Sequence, residues 1–244
     1  MSTCNFRFTK QQNGFYIACI GCIASGKSSF TEILGDVIKK EKGECYCLYE
    51  PAAKEDGEES IFLPSFYQDQ KRWAFTVQVE MLTKRVAQHK MAQALSFNGI
   101  SSVSDSLWES DGVFVNLLEK EGKLTKDEAD LYYRLFSELS ENLLYPSAVI
   151  YLSVKPEKAL ERLNKRISEK AGRIMESDIP LSYLQGLISE YNELISYIKN
   201  FCHVITLDWN TDRTKDEIRI EAEKIWELIK SLRQNCPIGS QLGV

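Results

Sequence analysis

Short apolar runs separated by longer stretches of helical periodicity set the first reading of this 244-residue chain. Tyr16 to Ile20 is apolar throughout and bounded by glycine, which predicts a buried strand. Behind it Phe30, Ile33, Leu34 and Val37 recur at the spacing of a helix face. Glu44 to Glu50 predicts a second strand, stopped by Pro51. Ala52 to Pro64 is polar and acidic and reads as a loop. From Gln70 to Ala94, Trp73, Val77, Met81, Leu82 and Val86 mark one face of a long helix. Gly99 to Val103 reads as a third strand running out at Ser104-Asp105. Val113 to Glu121 and Lys126 to Leu144 read as helices, the first stopped by Gly122. Ala148 to Val154 is a fourth strand, and Glu157 to Arg166 begins a helix behind Pro156. A charged stretch, Arg162 to Arg173, precedes Pro180 and a helix to Phe201. His203 to Leu207 is the fifth strand and Thr214 to Leu232 the final helix.

Strands that alternate with helices predict an α/β fold, a five-stranded parallel sheet covered by helices on both faces. Ligands of such sheets sit outside the carboxyl ends of the strands. Glu50, Asp105 and Asp208 all fall at or beside those ends.

The junction between the first strand and the first helix carries the most specific chemistry. Gly21-Cys22-Ile23-Ala24-Ser25-Gly26-Lys27-Ser28, followed by Ser29, fits G-x-x-x-x-G-K-[ST] at every fixed position. Glycines let the backbone turn tightly, so that successive N–H groups face a polyphosphate, and the helix N-terminus adds partial positive charge. Lys27 would reach the β- and γ-phosphates and the Ser28 hydroxyl would hold Mg²⁺. The alternative, a chance match in a glycine-rich turn, lacks the strand before and the helix after that this sequence supplies.

Composition narrows the field without naming a reaction. Hydrophobic residues at 43% and charged residues at 27% are ordinary for a globular domain, and the net charge of −5 argues against nucleic acid or an anionic membrane as the main partner. Seven cysteines, an odd number scattered along the chain, suggest a reducing, cytoplasmic setting without a disulfide framework. Cys45 and Cys47 fall in a strand, where a free thiol acts as a small hydrophobe. No apolar run is long enough to span a membrane. Residues 1–14, which lack an apolar signal-like stretch, read as an N-terminal arm. Residues 15–232 read as one domain and 233–244 as a tail.

Three carboxylates beside a phosphate loop suggest phosphoryl transfer, which needs a base for the attacking hydroxyl, a metal holder and cations for the spreading charge. Glu50 can be the base, and Asp105 can reach Mg²⁺ directly or through water. Arg162, Arg166 and Arg173 are candidate cations; the alternative is a solvated, salt-bridged helix face. Gly172 and Ile179-Pro180 beside them suggest a lid spanning about residues 162–178.

These residues make the sequence recognisable: it resembles the deoxyribonucleoside kinase family, from Gly21 to Asp212. The loop GCIASGKSS is similar to the family's GxIxxGKS/T, and Glu50-Pro51 to its general-base pair. Tyr67 to Arg85 (YQDQKRWAFTVQVEMLTKR) resembles its Tyr…RW-x-F-x-x-Q…Arg helix. GRIMESDIPLSYL is similar to its lid segment. Asp208 to Asp212 (DWNTD), with Asp208, Asn210 and Asp212 as the polar positions, is similar to the loop bordering the adenine of ATP. The resemblance implies the P-loop kinase fold, ATP as phosphate donor with Mg²⁺, and a homodimer or higher homo-oligomer. It implies that Glu50 takes the proton from the 5′-hydroxyl of a deoxynucleoside. Tyr67 and Glu176 would hold the 3′-hydroxyl, and Gln78 would bond the base edge, with Trp73, Val77 and Met81 beside the ring. For Tyr67 and Trp73 ordinary core packing is the competing reading. Arg162, Arg166 and Arg173 would close over the phosphates.

One stretch departs from the family, whose third strand is followed by [ED]-R-[ST] and then an aspartate that helps read the base. In one register Asp105 takes the acidic position, Ser106 replaces the arginine and Asp111 is the base-reading aspartate. In the other, Ser104 and Asp105 replace the acid and the arginine, and Ser110 faces the base. The first keeps a magnesium-side carboxylate and gives Arg85 a partner; neither supplies the arginine. Arg85 with Asp111 resembles the pair of members that take purines and cytosine. A carboxylate accepts from an exocyclic amine and a guanidinium donates to a ring nitrogen, and adenine offers both. Deoxyadenosine is therefore the first expectation, with deoxyguanosine and deoxycytidine next. A GTPase-type switch would carry D-x-x-G and N-K-x-D, which are missing. Tyr67, Gln78 and Glu176 speak against another small-molecule kinase. The absent arginine leaves a nucleotide-binding relative without turnover as the remaining alternative.

Overall fold

The computed structural model describes residues 14–49, 60–169 and 179–234. Five parallel strands, β1 (Tyr16–Ile20), β2 (Cys45–Leu48), β3 (Ser101–Asp105), β4 (Ala148–Ser153) and β5 (Val204–Asp208), lie in the order β2-β3-β1-β4-β5. β1 and β3 are buried throughout, β4 almost so, whereas the edge strands β2 and β5 are partly exposed. That difference explains the uninterrupted apolar runs of β1 and β4, which face helices on both sides.

Eight helices connect the strands among the described residues: α1 (Lys27–Lys42), α2 (Leu63–Gln68), α3 (Gln70–Phe97), α4 (Ser110–Lys120), α5 (Lys126–Ser140), α6 (Pro156–Glu169), α7 (Leu181–Ile198) and α8 (Lys215–Gln234). The chain leaves β1 toward β2 at one edge, then returns through β3 and moves on to β4 and β5. With right-handed crossovers, this reversal puts α1 on one face and α3 on the other. It also opens a crevice at the carboxyl ends of β1 and β3, the switch point where ligands bind in such sheets.

α8 packs on α1, where the Trp226 indole and the Lys230 ammonium both donate to the Glu41 carboxylate at 2.7 Å. Gly35 on α1 lies against β2 so closely that a Cβ would stand 2.2 Å from the Cys47 sulfur. A second apolar cluster joins α2, α3, α4 and α5 through Phe66, Val77, Met81, Val115 and Tyr132.

The expected order of strands and helices is observed, with shifts of a few residues at their ends. One element differs in kind: Leu63 and Pro64, read as the end of a loop, open α2. Proline fits the first turn of a helix, where its missing N–H costs nothing. Arg162 and Arg166, read as the start of a lid, belong to α6, which continues to Glu169. The five cysteines among the described residues are free, and Cys45 and Cys47 lie in β2 as expected.

Candidate active site

The phosphate loop is built as its sequence dictates. Gly26, at φ +93°, stands immediately before α1 and holds a left-handed turn that a side chain would strain. A Cβ on Gly21 would stand 2.9 Å from the Leu152 carbonyl oxygen, so this end of β1 tolerates only glycine at that distance. Ala24 also adopts positive φ, and the Ser25 N–H closes a turn on the Cys22 carbonyl. Lys27 curls over the loop and donates to that same carbonyl at 3.3 Å. Burial pushes the Cys22 thiol up to about 11, so it stays neutral inside the loop.

Opposite the loop, Asp105 ends β3, directly paired in register with Cys19 of β1. Its carboxylate accepts a 2.5 Å hydrogen bond from the Ser28 hydroxyl. Hydroxyl and carboxylate oxygens meeting beside a lysine fit Mg²⁺, which uses one or two carboxylates together with phosphate and water oxygens. Ser106 follows at φ +97°, fully buried, with its N–H donating to the Cys19 carbonyl. A serine stands here, so no cation projects from this position.

Residues 208–213, expected on the donor side, stand beside the loop through Trp209. Trp209 is buried, its ring edge-on to Phe30, and its indole nitrogen would lie 3.3 Å from a Cβ on Gly26. Arg213 covers the Trp209 ring at 4.0 Å and donates to the Asp208 carbonyl. Asp208 accepts from both the backbone and the amide of Asn210, whose side-chain oxygen accepts from the Lys155 N–H. Asp212 is bound by Lys158 and Arg162, each at 2.9 Å, which hold its carboxyl below the usual range. Arg162 also donates to the Thr211 carbonyl, so it ties α6 to this loop. Trp209 was not singled out from the sequence, although it stands inside the DWNTD stretch.

The residues expected on the acceptor side lie largely along α3. Gln78, Met81 and Arg85 are buried on one face, with Val77 beside them. Arg85 Nε donates to Asp111 Oδ1 at 2.8 Å, with both side chains 2% exposed. This is the geometry of the register that places Asp111, rather than Ser110, opposite Arg85. Tyr67 is half-buried against Phe66, and it bears on the phenol of Tyr183, which burial pushes up and which also feels Cys22 of the phosphate loop. Trp73 stacks on Phe62 at 5.6 Å beneath the Arg72 guanidinium, a packing role at the rim of the second cluster. Glu50, Arg173 and Glu176 lie outside the described residues.

A phosphate loop facing a carboxylate at the switch point, with a buried polar pair between the adjoining helices α3 and α4, defines a small-molecule phosphotransferase. The comparisons give the particular family. Residues 17–233 match the deoxynucleoside kinase family model, and the chain belongs to that family. Deoxyadenosine kinase of Dictyostelium discoideum is 29% identical over 233 residues, covering 96% of this chain and 85% of the relative. Deoxyguanosine kinase of the same organism is 28% identical over 206 residues, covering 83% and 67%. A solved structure of deoxyadenosine kinase from M. mycoides with bound dATP superposes with a TM-score of 0.68 at 25% identity, covering 86% of this chain and 98% of the other. This chain is therefore an enzyme that phosphorylates deoxynucleosides at the expense of a nucleoside triphosphate. No helix among the described residues is long and apolar enough to cross a membrane.

Proposed function

We propose that the enzyme transfers the γ-phosphate of ATP to the 5′-hydroxyl of a purine deoxynucleoside, deoxyadenosine first, with Mg²⁺ held on the Ser28–Asp105 side of the loop. The observation that carries the base preference is the buried Arg85–Asp111 pair. Its carboxylate suits an exocyclic amine and its guanidinium a ring nitrogen, both of which adenine presents. Gln78, about two turns earlier on α3, adds an amide able to bond the base edge. A metal ion held by Ser28 and Asp105 would supply charge neutralisation for the phosphates. The chain's own groups do the rest: loop N–H groups and Lys27 hold the donor phosphates, and Ser28 and Asp105 orient the metal side. Tyr67 faces the sugar, Glu50 accepts the hydroxyl proton, and Arg166 and Arg173 are the cations that stabilise the transferring group. Arg162 supports them by fixing α6 to the 208–213 loop.

The test is kcat/KM for deoxyadenosine, deoxyguanosine, deoxycytidine and thymidine with ATP and Mg²⁺. Deoxyadenosine is expected to lead and thymidine to trail, because thymidine lacks the amine that Asp111 would accept from. Thymidine as the best substrate overturns the assignment.

A further inference from the structure

The acceptor side holds one polar atom to which the proposed chemistry gives no task. Tyr132 on α5 is fully buried among Val77 and Met81 of α3 and Val115 and Leu118 of α4. Its ring meets those of Tyr133 and Phe136. Yet among the described residues its hydroxyl has no hydrogen-bond partner. Asp111 and Arg85, the proposed base-reading pair, both bear on that hydroxyl electrostatically, the aspartate more strongly.

Several serine and threonine hydroxyls are also buried without partners, but a short side chain can rotate toward its own backbone. A phenol on a packed ring has no such freedom. Keeping a hydroxyl unpaired in an apolar cluster is destabilising, and phenylalanine would fill the same space without that cost. A tyrosine here is explained if its partner arrives with the ligand.

We propose that Tyr132 is a specificity-determining residue of the nucleoside site, its hydroxyl completing its hydrogen bonding with the group formed by Arg85, Asp111 and a bound nucleobase. The inference rests on the deoxynucleoside reading of that site. A phenol both donates and accepts, so it serves an amine-bearing or a carbonyl-bearing base edge, but not equally well in one fixed orientation beside a carboxylate. A buried polar group satisfied by one ligand discriminates against ligands that leave it unpaired.

The experiment is Tyr132→Phe, assayed for kcat/KM with deoxyadenosine, deoxyguanosine and deoxycytidine, with Tm measured alongside. The ratio between the best substrate and the next is expected to change by about tenfold. Tm should stay level or rise, since the hydroxyl has no partner to lose among the described residues. Ratios kept within about twofold, whatever happens to Tm or to the overall rate, overturn the proposal, because a merely structural hydroxyl lowers all three substrates in parallel. A wild-type enzyme inert on all three overturns the reading of the site itself, and this inference with it, before any variant is made.

Discussion

Asp111→Ala removes one half of a buried ion pair and leaves the other half in place. The Arg85 and Asp111 side chains are each 2% exposed and 2.8 Å apart, so the guanidinium left behind is shielded from water and lacks its carboxylate. Breaking such a pair typically costs about 3–5 kcal/mol. At roughly 2–4 °C per kcal/mol for a chain of this size, Tm should fall by on the order of 10 °C. The control is the double variant Arg85→Met/Asp111→Ala, which removes both charges; apolar replacement of a buried pair is often neutral. Urea unfolding of wild type, both single variants and the double gives the coupling energy. The expectation is a double variant more stable than Asp111→Ala alone, with a coupling of about 2 kcal/mol or more. Single variants that each cost under about 1 kcal/mol and simply add would refute the claim that the pair is buried and mutually dependent.

Two further outcomes follow from other parts of the fold. Burial pushes the Glu109 carboxyl up to about 7, with the Tyr145 hydroxyl donating to it. An unfolded carboxyl titrates near 4.3, so between there and 7 the folded state keeps a proton that the unfolded state releases. Stability from this group therefore falls as pH rises through that window and is level above it. Glu109→Gln should match wild type near pH 4.5 and exceed it by up to about 3 kcal/mol at pH 8 in urea titrations; a difference independent of pH contradicts this. At the α1–β2 contact, Gly35→Ala drives a methyl to 2.2 Å from the Cys47 sulfur. Overpacking of about 1–3 kcal/mol should outweigh the roughly 1 kcal/mol that alanine adds to a helix. Adding Cys47→Ala should restore the loss, and a double variant as unstable as the single one would show that the contact does not limit the packing.

The phosphate loop was legible because its chemistry constrains backbone and side chain together, at fixed positions between two periodic elements. β1 and β4 were legible because strands buried on both faces read as unbroken apolar runs, whereas the equally buried β3 is mostly polar. α2 was hidden because six residues beside an acidic stretch carry too few turns for a periodic signal. Only glycine announces a positive φ in a sequence, so the turn at Ser106 had no sign there. Arg162 looked like a mobile cation because its partners, Thr211 and Asp212, lie about fifty residues away and meet it only across the β4–β5 connection. Tyr132 fell in phase with the core face of α5, and periodicity does not report whether a buried hydroxyl has a partner.

The central claim is that the loop delivers phosphate to a deoxynucleoside. The most direct measurement incubates the enzyme with γ-labelled ATP, Mg²⁺ and deoxyadenosine, and follows the label. It should appear in the 5′-monophosphate, and Lys27→Ala should slow its transfer by about a hundredfold or more. Label that stays on ATP or emerges only as inorganic phosphate, with deoxyadenosine and with every other deoxynucleoside offered, would contradict the account.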